Sequence, residues 1–253
     1  MAKASGDHLL EIISVTMRFG GLTALDDVTY SVRQGEVRGI IGPNGAGKTT
    51  LFNVITGELK PTLGKIFLKG EEITHFVPHI ICRKGLGRTF QLTLLFPEMT
   101  VYESIWVGVN STARQPWSPF ILAHHATDVS QKTREICHLV GLEEKMNEVA
   151  SNLSYGDQKI LEIAMALSTQ PSLLLLDEPT QGVSPKEADH IIEVVERLSK
   201  KMTIVLIEHS MDVILRLCHI ITVLNAGRLV TEGSPDQISK DEEVQRIYLG
   251  EIS

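Results

Sequence analysis

The hydrophobic and polar positions near the start of the chain follow the pattern of paired strands. Residues 9–19 are rich in side chains that favour strands, and residues 26–32 alternate between apolar and polar positions with a period of two. A turn at 20–21 joins them, and a short apolar run at 66–68 with a turn at 69–71 completes the group. This pattern predicts a small antiparallel unit.

A second group of segments is apolar without alternation, which is typical of strands that are buried on both faces under helices. These segments cover residues 37–41, 172–176, 203–207 and 220–224. They predict the parallel strands of a central sheet, and therefore an α/β fold.

The chain between residues 92 and 165 differs from the rest because its pattern is helical. Helices are predicted over residues 102–109, 126–140 and 158–168. A loop that contains residues 115–119 separates the first two. We interpret this part as a helical insertion in the α/β core. The paired histidines at 124–125 are expected to lie in a solvated loop, because adjacent side chains point apart and make a poor metal site.

Composition and charge narrow the class of protein. A chain of 253 residues with 43% apolar and 22% charged residues has the composition of a soluble globular protein. The net charge of −7 argues against a nucleic-acid partner, because binding to phosphate backbones normally needs a basic face. No apolar run approaches the roughly 18–20 residues that span a bilayer. Residues 1–7 lack an apolar signal segment, so we expect a cytosolic protein.

The strongest chemical signal is a phosphate-binding loop between a predicted strand and a predicted helix. It fits the pattern G-x-x-x-x-G-K-[ST] at every fixed position and consists of Gly42, Pro43, Asn44, Gly45, Ala46, Gly47, Lys48 and Thr49. Its glycines let several N–H groups point at a polyphosphate, and the helix that continues from Thr50 adds a partial positive charge. Lys48 is expected to reach the β- and γ-phosphates, and Thr49 to be a ligand of Mg²⁺. The sequence therefore predicts a P-loop NTPase core of the RecA-like α/β class that binds a nucleoside triphosphate.

Two carboxylates end the buried strand that is predicted over residues 172–176. Open α/β sheets bind ligands at the carboxyl ends of their strands, which is where Asp177 and Glu178 stand. Asp177 is expected to hold Mg²⁺ through a water molecule. Glu178 is then positioned to orient and polarise the water that attacks the γ-phosphate.

Further motifs resemble those of the ATP-binding cassette (ABC) proteins, in the order in which that family has them. The family signature L-S-G-G-Q is similar to the segment Leu153, Ser154, Tyr155, Gly156, Asp157 and Gln158. Gln91 stands at the position of the Q-loop glutamine, His209 at that of the switch histidine, and Phe19 at that of an aromatic ring that stacks on adenine. Asp177 and Glu178 match the Walker-B pair, so the resemblance extends through the whole chain.

Two departures from the family pattern concern communication between sites. Tyr155 stands where the signature usually has glycine, and Asp157 is inserted into it. We expect the Ser154 hydroxyl and the Gly156 N–H to remain free to meet a γ-phosphate. The D-loop position at residues 181–185 lacks the usual aspartate.

Both departures resemble what is seen in the ATPase subunits of branched-chain amino acid importers and their amide- or urea-transporting relatives. The segments at residues 208–214 and 247–251 also look like that subfamily. The resemblance implies the ATP-binding and ATP-hydrolysing subunit of an importer, with branched-chain amino acids as the favoured solute. A soluble assembly factor of the iron–sulfur cluster type and the ATPase of lipopolysaccharide export are the alternatives within the family.

The family resemblance also implies a mechanism that needs two ATPase subunits. In the family the phosphate loop of one subunit faces the signature of the other, so that residues 153–158 act in trans. Gln91 joins Thr49 and Asp177 around Mg²⁺ and also touches the surface that faces a transmembrane partner. His209 contacts the γ-phosphate and the attacking water. ATP binding favours the closed dimer, and hydrolysis releases it.

The expected partners follow from the same resemblance. They are transmembrane permease subunits, a second ATPase subunit that is identical or related, and indirectly an extracytoplasmic solute-binding protein. The chain is then expected at the cytoplasmic face of the cell membrane. We expect one cassette, with the β and P-loop core over residues 7–91 and 166–235, the signature-bearing helical subdomain over 92–165, and a tail over 236–253.

Overall fold

The computed structural model describes residues 8–89, 96–112 and 119–249, and among these it describes the side chains outside residues 112–126 and 248–249. Within these residues the strands are β1 (His8–Phe19), β2 (Leu22–Arg33), β3 (Val37–Ile41), β4 (Leu63–Leu68), β5 (Glu71–Glu72), β6 (Leu86–Arg88), β7 (Leu173–Asp177), β8 (Thr203–Ile207), β9 (Ile220–Asn225) and β10 (Arg228–Gly233). The α-helices of the same residues are α1 (Lys48–Ile55), α2 (Pro78–Arg83), α3 (Val101–Thr112), α4 (Pro119–Val140), α5 (Tyr155–Leu167), α6 (Pro185–Ser199), α7 (Met211–Leu217), α8 (Pro235–Ile238) and α9 (Glu242–Leu249).

The smaller of the two sheets is the predicted antiparallel unit. Its strands lie in the order β2-β1-β4-β5, and every neighbouring pair is antiparallel. β1 and β2 have 12 residues each, so the pairing runs further than the alternating pattern at residues 26–32 predicts. The antiparallel prediction is confirmed.

The larger sheet carries the predicted parallel strands in the order β10-β9-β3-β8-β7-β6. All neighbouring strands from β9 to β6 are parallel, and β10 is antiparallel to β9. The strands predicted from the four apolar runs are confirmed as β3, β7, β8 and β9. The edge strands β6 and β10 were not predicted, because they are short or partly exposed and lack a continuous apolar run.

The strands of the larger sheet contribute side chains to its two faces in turn. In β7, Leu174 and Leu176 lie in one hydrophobic cluster, whereas Leu173 and Leu175 lie in the other, and all four are fully buried. The first cluster includes residues of helices α3 to α6, and the second includes residues of α1 and of the antiparallel sheet. Burial of the parallel strands on both faces is therefore confirmed, although one face packs largely against the antiparallel sheet and not against helices alone.

The helical insertion is present, with one boundary that differs from the prediction. α3 and α5 lie close to the predicted limits, but α4 begins at Pro119 rather than near residue 126. Proline is favoured in the first turn of a helix, where its missing N–H is not needed, so it starts α4 instead of extending the loop. His124 and His125 consequently lie in a helix and not in the expected loop.

The segment predicted as a tail after residue 235 contains helices α8 and α9. Ile238 and Val244 are 1% and 3% exposed and belong to the larger hydrophobic cluster, where Ile247 also packs. Val244 and Ile247 are three residues apart, so they lie on the same face of α9. This apolar face explains why α9 packs against the larger hydrophobic cluster. Within the described residues, each helix is too short or too polar to span a bilayer.

Candidate nucleotide-binding site

The phosphate loop lies between β3 and α1 in a conformation that only glycine adopts easily. Gly42 has a φ of +151°, and a Cβ there would lie 2.0 Å from the Leu224 carbonyl oxygen. Gly47 has a φ of +101°, and a Cβ there would lie 2.6 Å from the Ala24 carbonyl oxygen. Both glycines are therefore required by backbone geometry and by contact with the chain behind the loop.

The loop leads directly into the N-terminus of α1, where Lys48 is the first helical residue. Lys48 Nζ donates hydrogen bonds to the carbonyl oxygens of Gly42 and Pro43, the latter at 3.0 Å. The first N–H groups of a helix have no partner within it and carry partial positive charge. The side-chain cation and the helix end thus concentrate positive charge at the loop.

A cavity of about 620 Å³ opens over this loop. The predicted site residues that line it are Phe19, Asn44, Gly45, Ala46, Gly47, Lys48, Thr49, Thr50, Glu178 and His209. The further lining residues are Leu22, Thr23, Ala24, Ala226 and Gly227, which the sequence analysis did not select. The first three lie at the start of β2, and the last two form the turn between β9 and β10. The Gly227 N–H donates to the Ala46 carbonyl at 3.0 Å, which holds this turn against the phosphate loop. Phe19 is 44% exposed, so its ring is available at the edge of the cavity.

Glu178 and His209 form a pair beside the loop. His209 Nε2 lies 2.9 Å from Glu178 Oε1, and the Glu178 side chain is 6% exposed. Because an ionised carboxylate only accepts hydrogen bonds, this contact needs a proton on His209 Nε2. The pair therefore combines a buried proton acceptor with a donor that orients it.

The backbone of Glu178 is in a left-handed conformation, with a φ of +51°. Such a conformation costs a residue other than glycine about 1–3 kcal/mol and is retained where the surroundings enforce it. The Glu178 N–H donates to the Ile207 carbonyl at 2.9 Å, and its own carbonyl accepts from the Gln181 N–H at 3.1 Å. The strained turn aims the carboxylate away from the strand and towards His209.

Asp177 ends strand β7 and is bound by an arginine. Arg88 Nη2 donates to Asp177 Oδ2 at 2.9 Å. Burial raises the pKa of the Asp177 carboxyl above its ordinary value, and the ion pair with Arg88 acts in the opposite direction. The second oxygen, Oδ1, is buried and has no hydrogen-bond partner among the described residues. An oxygen of this kind suits the hydration shell of Mg²⁺, an ion that prefers oxygen ligands and keeps several of its waters.

The signature segment forms the start of α5, and its polar groups are already bonded within the chain. Ser154 Oγ accepts from the Asp157 N–H at 3.2 Å and donates to Asp157 Oδ2 at 2.8 Å. The Gly156 N–H donates to Glu187 Oε1 at 3.1 Å. The expectation that the Ser154 hydroxyl and the Gly156 N–H are free is therefore wrong for this structure. Two carboxylates of the same chain occupy them, because a helix N-terminus attracts negative charge.

The two places where the chain departs from the family pattern lie against each other. A Cβ at Gly182 would lie 3.3 Å from Tyr155 Cε1, so the tyrosine ring packs on the D-loop position. Leu153 is buried, and Gln158 Nε2 donates to the Leu153 carbonyl at 3.2 Å. The signature and residue 182 thus form one packed surface.

Glu208 also contributes to the site, and the sequence analysis did not give it a role. Its Oε1 accepts from the Thr180 N–H at 2.8 Å and from the Thr180 hydroxyl at 2.7 Å. Its Oε2 accepts from the His209 N–H at 3.1 Å. Glu208 thereby joins the turn after Glu178 to the strand end that carries His209. The signal in the sequence is a carboxylate directly after the apolar run at residues 204–207.

The predicted Q-loop glutamine, Gln91, lies outside the described residues. Among the other predicted site residues, the signature residues 153–158 do not line the cavity over the phosphate loop, and neither do Gly42, Pro43 and Asp177. The phosphate loop follows strand β3 of a largely parallel sheet, and the next two strands on one side, β8 and β7, are followed by His209 and Glu178. This arrangement defines a P-loop NTPase.

Comparisons with known proteins identify the family within this class. The sequence model of the ABC transporter family matches residues 25–181, and that of the branched-chain amino acid ATP-binding cassette transporters matches residues 228–252. The chain belongs to the ABC transporter family, as an ATP-binding and ATP-hydrolysing cassette.

Three similar proteins illustrate how far the likeness extends. The high-affinity branched-chain amino acid transport ATP-binding protein BraF of Pseudomonas aeruginosa is 40% identical over 253 residues, which cover 96% of this chain and 98% of BraF. The high-affinity branched-chain amino acid transport ATP-binding protein LivG of Salmonella typhimurium is also 40% identical, over 250 residues that cover 96% of this chain and 98% of LivG. The ADP conformation of MJ1267, an ATP-binding cassette of an ABC transporter, superposes with a TM-score of 0.85 at 33% identity and covers 96% of this chain and 99% of MJ1267.

Proposed function

We propose that this ABC ATPase drives the uptake of branched-chain amino acids. The support is its 40% identity to BraF and LivG along nearly the full length of all three chains. The match of residues 228–252 to the branched-chain cassette family adds support from the part of the chain that carries α8 and α9. The solute itself is selected by permease and binding-protein partners, so the cassette supplies the energy and not the recognition.

Hydrolysis is assigned to the residues around the cavity, and the Glu178–His209 pair carries this assignment. Glu178 is the general base that accepts the proton of the attacking water, and His209 orients it and contacts the γ-phosphate. Lys48 and the N–H groups of residues 42–50 neutralise the phosphate charge. Phe19 stacks on the adenine ring at the exposed edge of the cavity.

Thr49, Asp177 and Gln91 are the residues that we propose for Mg²⁺. The hydroxyl of Thr49 and the unpartnered Oδ1 of Asp177 are oxygen donors of the type that this ion prefers. Gln91 is included on the basis of the family motif alone. When bound, Mg²⁺ supplies charge that offsets the negative charge of the phosphates.

The functional unit is proposed to be a dimer in which ATP lies between two cassettes. The cavity over the phosphate loop has no lining residue from the signature, so one chain presents only one half of the family's site. A head-to-tail pair with two-fold symmetry brings the signature residues 153–158 of each subunit to the phosphate loop of the other. The second subunit is either a copy of this chain or a related ATPase.

The proposed assembly extends beyond the cassettes. We assign transmembrane permease subunits as direct partners, an extracytoplasmic solute-binding protein as an indirect one, and the cytoplasmic face of the membrane as the location. Within the chain, residues 7–91 and 166–235 form the nucleotide-binding core, and residues 92–165 carry the signature.

The first test is affinity purification of the tagged chain from detergent-solubilised membranes, followed by mass spectrometry. Two polytopic permeases and a second ATPase in the eluate would support the importer. Soluble partners without any membrane protein would contradict it and favour an assembly factor.

The second test identifies the solute. The co-purified permeases and second ATPase, together with the binding protein, are expressed with the cassette in cells that lack other branched-chain amino acid uptake, and accumulation of labelled leucine is measured. Uptake with the wild-type cassette and none with Glu178→Gln is the expected result. If cells with the wild-type cassette accumulate a different solute instead, the ATPase assignment stays intact and the assignment of branched-chain amino acids as the solute is overturned.

A further inference from the structure

Arg88 is the last residue of β6, and its side chain reaches the end of the neighbouring strand instead of solvent. The side chain is 6% exposed, and Nη2 donates to Asp177 Oδ2 at 2.9 Å, while the Asp177 side chain has no exposed surface. β6 and β7 pair in parallel with Arg88 opposite Leu175, which brings the long arginine side chain within reach of Asp177. The contact is therefore a buried, charge-assisted hydrogen bond.

The other arm of the guanidinium group is anchored on helix α1. Nη1 donates to Asn53 Oδ1 at 2.7 Å and to Thr56 Oγ1 at 3.3 Å. The centroid of the buried Phe52 ring lies 5.6 Å from the guanidinium carbon. Contacts on both arms and against one ring hold the guanidinium group in a single orientation.

The backbone next to Asp177 is held as well. The Asp177 N–H donates to Thr89 Oγ1 at 3.2 Å, and the Thr89 N–H donates to the Leu175 carbonyl at 3.0 Å. Since Oδ2 is bound to Arg88, the carboxylate cannot turn without breaking a buried ion pair. The oxygen that stays available is Oδ1, which has no partner among the described residues. Arg88 thus decides which oxygen Asp177 presents.

We propose that Arg88 is a positioning residue for the Mg²⁺ site, an inference that rests on the proposed function of Asp177 in that site. Arg88 presents Asp177 Oδ1 to the hydration shell of the ion. Through Asn53 it also fixes the carboxylate relative to α1, whose first turn carries Lys48 and Thr49. The metal-facing oxygen and the phosphate-facing helix end are therefore held as one unit before the nucleotide binds.

The geometry requires arginine and not only a positive charge. A planar guanidinium group binds Asp177 and Asn53 at the same time through separate N–H groups, whereas the ammonium group of lysine is a compact point charge. Lysine at this position keeps the buried charge but does not connect β7 to α1 in the same way. Arg88→Lys therefore separates positioning from charge compensation.

The test measures ADP binding to the purified full chain by calorimetry at increasing Mg²⁺ concentrations, so that no turnover is needed. For Arg88→Lys and Arg88→Met, we expect the Mg²⁺ concentration for the half-maximal effect to rise at least about tenfold, which is the usual range for residues that orient metal ligands. ADP affinity in excess EDTA should change less than about twofold, since the phosphate loop is intact. Arg88→Lys serves as the measured variant where Arg88→Met destabilises the fold.

Asn53→Ala separates the two contacts of Arg88, because it removes the partner on α1 and leaves the pair with Asp177 in place. It should lower the melting temperature and shift the Mg²⁺ dependence in the same direction as the Arg88 variants but by less, because Oδ2 of Asp177 stays bound. If the Arg88 variants lower the melting temperature in the same way with an unchanged Mg²⁺ dependence, Arg88 is only structural and the inference is wrong.

Asp177→Asn separates this inference from the proposed function. A shifted Mg²⁺ dependence in Asp177→Asn together with none in the Arg88 variants would overturn the role of Arg88 alone. An unchanged Mg²⁺ dependence in Asp177→Asn would overturn the role of Asp177, and the role of Arg88 with it. Shifts in both agree with the proposal.

Discussion

His209 Nε2 lies 2.9 Å from Glu178 Oε1, although the two residues are 31 positions apart in the chain. They meet because β7 and β8 are adjacent parallel strands with Asp177 opposite Ile207, so that the residues after both strands share one edge of the sheet. The Glu178 side chain is 6% exposed and that of His209 is 41% exposed. The protein therefore holds the carboxylate in place while the imidazole stays accessible from the cavity.

Glu178→Gln is expected to retain ATP binding and to slow hydrolysis at least about 100-fold, because an amide does not accept the proton of the attacking water. Phosphate release and equilibrium ATP binding are the two measurements. Gel filtration with ATP should then show a trapped dimer. Glu193→Gln is the control, since its carboxylate is exposed on α6. Fast turnover in Glu178→Gln would assign the general base to another residue.

Lys48→Ala is expected to abolish nucleotide binding or to weaken it at least about tenfold, because a hydrogen bond to a charged group contributes about 1.5–3 kcal/mol. Binding of a fluorescent ATP analogue measures the loss. Lys65→Ala is a suitable control, because it removes an exposed lysine from the antiparallel sheet. Wild-type affinity in Lys48→Ala would exclude the phosphate loop as the binding site.

Gly42→Ala and Gly45→Ala form a pair that separates crowding from backbone conformation. Both glycines have positive φ, but a Cβ at Gly42 would lie 2.0 Å from a carbonyl oxygen, whereas a Cβ at Gly45 meets nothing within 4 Å. Gly45→Ala should lower the free energy of unfolding by about 1–2 kcal/mol, the cost of a left-handed residue.

Gly42→Ala should lower the free energy of unfolding by more than about 4 kcal/mol, because the backbone of the loop or of β9 must also move to make room for the new Cβ. Urea unfolding of both variants measures these differences. Equal losses would mean that the contact with β9 does not restrict the loop.

Glu187 should make the stability of the chain depend on pH. Hydrogen bonds from Ser184 and Gly156 lower the pKa of its carboxyl from 4.5 to about 2. A lowered pKa in the folded state stabilises the fold above pH 4.5, and this contribution is lost as the pH falls through about 2.

Glu187→Gln removes the charge and keeps one acceptor oxygen, whereas the carboxylate uses one oxygen for the Gly156 N–H and the other for Ser184. The melting temperature of the wild type should therefore exceed that of the variant at pH 7 and approach it as the pH falls from 4.5 towards 2. Glu193→Gln, on the same helix, controls for the loss of one negative charge. A difference between wild type and Glu187→Gln that stays constant with pH would contradict the assignment of these hydrogen bonds.

The strands and helices that the sequence predicted are those with strong local patterns. Residues 204–207 are apolar at every position and follow a β-branched threonine at 203, and β8 has the predicted limits. The sequence predicts a start near residue 126 for α4, which begins at Pro119, because proline is compatible with both a loop and the first turn of a helix. β6 was not predicted, since three residues carry too little pattern and their pairing with β7 is a long-range contact.

The site could be predicted where function depends on a short continuous segment. Residues 42–49 have the required glycines, lysine and threonine in a row, and the structure places them at one helix end. The hydrogen bond between Glu187 and Gly156 could not be predicted, because the two residues lie 31 positions apart in the chain and on different helices. The same reason applies to the contact of Glu208 with Thr180, which lies on another loop.

The sequence by itself determined the chemistry of this protein: a phosphate loop, a carboxylate pair after a buried strand, and the motifs of an ABC ATPase. Local spacing is sufficient for these features, because each is made by neighbouring residues. Only the tertiary structure decided which groups meet: His209 with Glu178, Arg88 with Asp177, and Glu187 with the signature helix. Such contacts depend on the order and register of strands and on how helices pack across them, which distant parts of the chain set together.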